Sequence, residues 1–512
     1  MIHKIKTFAN IGLIWHEIVI EAGTNKSLPG IEIIWLPDTT IKESKERIRS
    51  TLRSSNIKIP NLKFVLNLSP SDIKKNWTSF DLPMAVAILC VIYEDINNSL
   101  LQDGLFFGEL GLDGQVKRID GLLPMVMAAK KRWYKYFFVP MENLYELEYI
   151  PGIYIYPVDS FQDIIDILIN DKKPDWIHDN KSLEDLQLWY HFQVDFEHIK
   201  WHTIAKRALT IAATGMHNVL MSWAPWSGKT MLSRALQSIL PPMTHEEILE
   251  VSQIYSVVWK LDKETPLIVH RPFRPIHHTA SKISITGGWS NLRPGEISLA
   301  HRGILFLDEI AEFPTDTLEV LRQPIEDKNI TISRVSGSLN YPASFMLVAA
   351  MNPCKCGYYK DKEKNCTCSL NDIKRYQSRL SWPLLDRIDM ILEIPRENIN
   401  QILDKSSSQS STDIREQVIK ARSLQQKRFA GTHISTNSQI SSKDIQKYII
   451  LEEKAESFLK NAALQLILSP RVVHRIMKLS RSIADMEGSK IVQLSHIAES
   501  LQYRSKTMFV ED

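Results

Sequence analysis

The sequence predicts a multidomain α/β protein, and three observations carry that expectation. The chain has 512 residues, and at roughly 100 to 200 residues per domain it should divide into about three. Its 44% hydrophobic and 24% charged residues are enough for packed cores and exclude a disordered chain. Its middle part repeats an apolar strand, a Gly-containing loop and a helix, and strands without polar alternation suit a parallel sheet covered on both faces. With only five cysteines the chain is no disulfide scaffold. The longest apolar run, Leu82 to Tyr93, is too short to span a bilayer, and the first residues lack the basic stretch, apolar core and cleavage site of a leader. The chain is therefore read as cytoplasmic, with no membrane partner. A net charge of +3 leaves any nucleic-acid contact to local patches.

Residues 1–170 mix strand-like runs (Ile31 to Trp35, Phe64 to Leu68, Tyr136 to Val139, Ile153 to Tyr156) with the helical stretches Asp81 to Tyr93 and Gly121 to Arg132, as a compact α+β domain would. A polar stretch from Asp171 to Leu186 makes 171–194 a linker. Residues 195–398 hold the apolar strands His217 to Ser222, Gly303 to Leu307 and Phe345 to Ala350. The low-complexity run Lys405 to Thr412 assigns 399–430 to a second linker. Residues 431–512 read as helices, among them Pro470 to Glu487 and Gln493 to Ser505, and there is no internal repeat.

The first of the strands in 195–398 runs into Trp223, Ala224, Pro225, Trp226, Ser227, Gly228, Lys229 and Thr230 and then into a helical stretch. That is the strand, loop, helix setting of a P-loop, in which helix N-terminal amides face phosphate oxygens. Lys229 would lie on the β- and γ-phosphates of ATP and the Thr230 hydroxyl on Mg²⁺. Trp223 stands where the motif has its first glycine, and Trp226 would crowd a backbone cradle that phosphates approach closely. Ile304 to Glu309 is an apolar strand ending in two acids, expected beside the P-loop strand; Asp308 would hold Mg²⁺ through water and Glu309 polarise the attacking water. Asn352 follows the next strand and would orient that water or touch the γ-phosphate. Arg387, in Pro383-Leu-Leu-Asp-Arg-Ile-Asp389, could be inserted by a ring neighbour, and Arg471, opening a late helix, could close over the nucleotide from a lid.

Cys354, Cys356, Cys366 and Cys368 form two Cys-x-Cys pairs directly after Asn352. They make either a closed structural Zn²⁺ site or four unliganded thiols. His277 and His278, with Arg271 and Arg274 nearby, make either a metal or phosphate site or part of a polar insertion.

Several longer stretches closely resemble ComM-type, magnesium-chelatase-like AAA+ ATPases: Phe80-Asp-Leu-Pro, Leu36-Pro-Asp-Thr, the run from Arg293 through Glu309, Leu321-Arg-Gln-Pro-Ile-Glu-Asp327, Ala349-Ala-Met-Asn-Pro-Cys354 and Pro383 to Asp389. The resemblance spans nearly the whole chain. It implies a Lon-protease-like N-terminal domain, an AAA+ P-loop core with a parallel sheet, and a helical C-terminal lid. It also implies a homo-hexamer that hydrolyses ATP to remodel DNA, branched or single-stranded, as in branch migration of recombination intermediates. A hairpin around His277 to Arg293 and another over Glu326 to Tyr341, with Lys328 and Arg334, would reach a ring pore and hold a phosphate backbone. Two alternatives are a magnesium-chelatase motor subunit and, if Trp223 and Trp226 are genuine, a non-hydrolysing ring scaffold. On the Lon-like pattern Asp81 lies near the nucleophile position, with Ser79 close by, and Leu123-Pro-Met125 replaces the lysine, so no proteolysis is expected.

The same resemblance organises the tryptophans. The chain has 19 glycines, where average usage predicts about 36, and 12 tryptophans. Laid on the family pattern, Trp15, Trp35, Trp77, Trp133, Trp201, Trp223, Trp226, Trp259, Trp289 and Trp382 fall at glycine positions, while Trp176 and Trp189 have no counterpart. The reading is a gene whose UGA codons specify glycine in its source, translated here as tryptophan.

Overall fold

The computed structural model describes residues 2–34, 39–70, 77–93, 96, 98–170, 172, 181–183, 186, 192, 194–199, 202–223, 229–288, 292–334, 337–361, 363–394 and 409–504. Outside them lie Ala224, Pro225, Trp226, Ser227 and Gly228 of the P-loop, Trp35, Trp176, Trp189, Trp201 and Trp289, most of the first expected linker and residues 399–408 of the second.

The described chain forms two compact units that do not follow the sequence in single blocks. One comprises Met1–Leu188, His245–Val269 and Ser290–Pro294; the other comprises Trp189–Thr244, His270–Trp289 and Gly295–Asp512. In the first, β1 (His3–Ile11), β2 (Ile14–Asn25), β3 (Gly30–Ile34) and β4 (Lys63–Ser69) form a sheet in the order β1-β2-β4-β3, antiparallel except for β3 beside β4. Helix α1 (Thr39–Ser54) precedes β4, and α2 (Asp81–Ile92) follows it. Apolar residues all round α2 make it an interior helix, and Asp81 through Cys90 are all buried. The parallel sheet of β5 (Gly104–Phe106), β6 (Tyr136–Pro140) and β7 (Tyr154–Val158) completes that core, with α3 (Leu122–Lys131) between β5 and β6.

The site of a Lon-type dyad is filled differently. Asp81 is buried and accepts from Arg47 Nε at 2.6 Å. Burial pushes its carboxyl up to about 6 against the pull of Arg47. Leu123 and Met125 are buried in α3, so no lysine base stands there. Helix α6 (His245–Val257) belongs to this unit, and its Ser256 Oγ donates to Glu146 Oε2 at 2.6 Å.

In the second unit α4 (Thr203–Gly215) leads into β8 (Val219–Trp223), and α5 (Lys229–Ile239) follows the P-loop. With β9 (Phe273–Ile276), β10 (Ile304–Leu307), β13 (Met346–Met351) and β14 (Met390–Ile394), β8 forms a fully parallel sheet in the order β9-β10-β13-β8-β14. This corrects the expectation that Asp308 ends a strand beside the P-loop strand. β13, which leads into Asn352, is hydrogen-bonded between them. The hairpin β11 (Asn329–Arg334) and β12 (Gly337–Pro342) stands where the second of the two hairpins was expected.

The second expected linker also differs. Its residues Ser411–Arg428 form an 18-residue helix, α8, started by a capping box between Ser410 and Asp413. Ser411 Oγ accepts from the Phe196 amide at 2.8 Å, and Gln425 Nε2 donates to Thr214 O at 3.0 Å, so α8 is fastened to the core. Helices α9 (Glu453–Gln465), α10 (Pro470–Met486) and α11 (Leu494–Gln502) complete this end of the chain.

One buried clamp fixes the sheet. The Asn218 side chain accepts from Leu347 N at 2.8 Å and donates to Arg387 O at 3.1 Å, and the Asn218 amide donates to Asp389 Oδ2 at 2.8 Å. Asp389 also pairs with Arg475 of α10 and stands 3.6 Å from His217 Nδ1. Burial opposes its charge, yet Arg475, His217 and the Asn218 amide hold the carboxyl far below the usual range. A carboxyl depressed in this way contributes stability that is complete above about pH 4 and is lost as pH falls further. Asp389→Asn is expected to cost about 1–3 kcal/mol by removing a buried charge partner of the half-buried Arg475 and of the Asn218 amide, and to flatten the acid limb of stability against pH; urea unfolding from pH 3 to 7 measures both.

Candidate functional site

The site lies at the carboxyl ends of β8, β13 and β10, where ligands bind in parallel α/β sheets. Lys229 opens α5 and is half-buried, and its Nζ donates to the Asn352 side-chain oxygen. Desolvation lowers the Lys229 ammonium from its ordinary range, while the charges of Asp308 and Glu309 pull it back up. Four sequence-predicted residues, Lys229, Asp308, Glu309 and Asn352, are therefore brought together from three strand ends. Neighbouring strands lie about 4.8 Å apart, so the intervening strand sets the ends of the P-loop strand and the Asp308 strand about 10 Å apart. Glu309 has a left-handed backbone (φ 51), and its N–H donates to Asp308 Oδ1 at 3.0 Å. His278 Nδ1 stands 3.5 Å from Glu309 Oε2, with the His277 ring 4.1 Å from the His278 ring. The two histidines thus adjoin the acid pair, a proximity that sequence reasoning did not assign. Thr230 lies in the first turn of α5.

Trp223 packs into the core of this unit. It is completely buried at the end of β8, edge-on to His202 at 5.0 Å, and its indole N–H has no hydrogen-bond partner among the described residues. The donor set fits a nucleotide with Mg²⁺: one desolvated cation, two carboxylates and an amide.

Arg387 and Arg471 are not brought to this site, which corrects a cis closure of Arg471 over the nucleotide. Arg387 Nη2 pairs with Glu326 Oε2 at 2.7 Å, and Arg471 Nη1 stands 4.0 Å from Glu326 Oε1. Arg471 lines a cavity of about 390 Å³ together with Asn218 and Asp389, which precede β8 and β14 at the opposite end of the sheet. Lys328, Arg475 and Lys478 add positive charge to that cavity. Burial and neighbouring cations push Lys478 down to about 8, while Asp389 pulls it up. The signal that could have found this cluster is the spacing Arg471, Arg475, Lys478, one face of a helix. Lys328 thus faces the cavity instead of a hairpin tip. Around His277 to Arg293 the described residues form the short helix Lys282–Thr286 and no hairpin; Arg274 pairs with Glu296 at 2.6 Å, and Arg271 donates to Arg302 O at 2.8 Å.

Beyond Asn352, the Sγ atoms of Cys354, Cys356, Cys366 and Cys368 all lie within 4.8 Å of one another, a group able to hold a metal ion.

Comparison with known proteins matches three family models in succession: residues 20–143 match "Subunit ChlI of Mg-chelatase", 195–402 "Magnesium chelatase, subunit ChlI" and 408–504 its C-terminal part. The chain is 36% identical over 510 residues to competence protein ComM of Haemophilus influenzae, covering 98% of this chain and 97% of that protein. It is 35% identical over 503 residues to YifB of Escherichia coli, covering 98% and 96%. A stretch of 147 residues is 34% identical to Lon protease 2 of Bacillus subtilis, 28% of this chain and 26% of that one.

Removing Lys229 strips the site of its buried cation. Lys229→Ala is expected to weaken binding of an ATP analogue at least about 100-fold, on the order of 3 kcal/mol, while Asn352→Ala keeps binding within about tenfold; fluorescence titration with Mg²⁺ present measures both.

Proposed function

The chain belongs to the ComM/YifB-like, magnesium-chelatase-like AAA+ family, and from that premise we propose that it is an ATP hydrolase, working in the cytoplasm as a homo-hexameric ring, that spends ATP on remodelling DNA. The convergence of Lys229, Asp308, Glu309 and Asn352 at adjoining strand ends carries the hydrolytic part of this reading. Asp308 and Thr230 would hold Mg²⁺, which when bound neutralises phosphate charge. Lys229 releases Asn352 and neutralises the phosphates; Asn352 is then free to hold the water or a γ-phosphate oxygen. Glu309 accepts the proton of the attacking water, its carboxylate steadied beside His278. Arg387 and Arg471, remote from their own P-loop, serve the nucleotide of the next subunit, which is the reason for a ring. The printed name of the Haemophilus relative, a competence protein, favours DNA, branched or single-stranded, over a chelatase complex as the object of the motor.

The reading includes glycine at positions 223 and 226 of the native protein. Three described tryptophans support it. Trp133 and Trp259 have φ of 72° and 57°, a region that costs a bulky residue about 1–2 kcal/mol and costs glycine almost nothing. Trp133 is 86% exposed, so packing does not compensate. Trp223 buries an N–H with no partner among the described residues, and a buried donor left unpaired costs about 1–3 kcal/mol.

Two experiments test the proposal. Glu309→Gln is expected to retain ATP binding while turnover falls about 10²–10⁴-fold, and branched DNA is expected to stimulate the unaltered ATPase; stimulation only by a chelatase partner would overturn the DNA reading. The mass of the native peptide covering 223–229, taken from source cells, is expected to give glycine at both positions. Tryptophan at both would leave the non-hydrolysing scaffold.

A further inference from the structure

The 18 residues between Met351 of β13 and Leu370, the start of α7 (Leu370–Gln377), contain no helix or strand among those described. Loops of that length are uncommon in compact domains and need their own source of order. This one has little apolar content: its sequence is Asn-Pro-Cys-Lys-Cys-Gly-Tyr-Tyr-Lys-Asp-Lys-Glu-Lys-Asn-Cys-Thr-Cys-Ser. Small segments without a core are ordered by a staple, either a disulfide or a metal.

The cysteines have the geometry of one centre. The Sγ separations are 3.3 Å for Cys354 to Cys356, 3.6 Å for Cys354 to Cys366 and 3.5 Å for Cys356 to Cys366. Four sulfurs at the Zn–S length of a tetrahedral site, about 2.3 Å, stand about 3.8 Å apart. The near-equality of the three distances singles out no pair for a disulfide, and all four are too close together to surround a multi-iron cluster. The backbone is turned toward thiolates. Amides of Tyr359 and Gly357 face Cys354 Sγ, those of Tyr358 and Thr367 face Cys356 Sγ, and that of Cys368 faces Cys366 Sγ. Four thiolates around Zn²⁺ leave two negative charges, and Lys355, Lys360 and Lys364 stand in the same loop to offset them.

The loop is tied at both ends to the nucleotide site. Asn352 lies two residues before Cys354, and its amide bonds to the Tyr376 hydroxyl. Gln377 Nε2 donates to Pro353 O at 2.9 Å, and Ser369, next to Cys368, caps α7. Just beyond α7, Arg379 Nη1 donates to Ala311 O at 2.9 Å, on the segment that follows Glu309.

We propose that Cys354, Cys356, Cys366 and Cys368 bind one Zn²⁺ in a closed tetrahedral site that positions Asn352 against Lys229, so that ATP turnover depends on the metal although the metal touches no substrate. The positioning part rests on the ATPase reading above; the metal part does not.

Full-length protein purified without chelator is expected to contain about one zinc per chain by elemental analysis, released by a mercurial that titrates the four thiols. Cobalt in its place is expected to give the intense visible bands of tetrahedral thiolate coordination. Cys366→Ser with Cys368→Ser should retain under about a tenth of the zinc, whereas Asn352→Ala retains it all. Loss of zinc should lower kcat about tenfold or more with little change in KM for ATP, and should speed amide exchange across 346–380 while leaving β1 to β4 unchanged. Absence of metal with four free thiols, two disulfides, or iron in place of zinc would overturn the site. Zinc bound, with kcat and local exchange both indifferent to its removal, would overturn the positioning role. A protein that binds zinc and gains local exchange on losing it, yet never hydrolyses ATP, would count against the ATPase reading alone.

Discussion

The clamp between Asn218 and Asp389 is the constraint on which the rest of the AAA+ unit depends. One amide and one carboxylate, both buried, fix the starts of β8, β13 and β14 relative to one another. In a parallel sheet a shift by one residue exchanges the two faces of a strand, so the same contacts also determine what emerges at the far ends. There the three strands deliver the P-loop, Asn352 and the last-strand segment in register. Arg475 carries the clamp into α10, so the helical end of the chain is braced against the sheet through a charge that is costly to leave alone.

The two ends of this sheet are chemically opposite. The carboxyl end gathers one partly desolvated lysine with two acids, a set that suits phosphates together with a divalent cation. The amino end gathers Lys328, Arg471, Arg475 and Lys478 around only Glu326 and Asp389, a surplus of positive charge. On the proposed reading, these cations would serve the nucleotide of a neighbouring subunit. That geometry is what links the proposed ring to chemistry and not only to shape.

The sequence made the site legible where function is written locally. Lys229 ahead of a helix, Asp308 and Glu309 ending an apolar run, and Asn352 after another are each read from residue type and a few neighbours. Strand order was not legible, because Val219–Trp223, Ile304–Leu307 and Met346–Met351 are similar short apolar runs whose pairing is decided by long-range packing. The Ser- and Gln-rich stretch read as a linker hid α8, although Ser410 and Asp413 carry the spacing of a helix start. The role of Asn218 had no local signature at all, since a buried hydrogen-bond partner cannot be read from a lone polar residue.

The way the chain crosses between its units has a consequence for how such a protein can evolve. The N-terminal unit borrows His245–Val269 from the middle of the ATPase region, and the borrowed Ser256 satisfies the buried Glu146 carboxylate. A gene fragment ending near residue 188 would encode that unit without this helix, and Glu146 would lose the Ser256 hydroxyl while keeping Asn143. A single breakpoint there would divide the N-terminal unit itself.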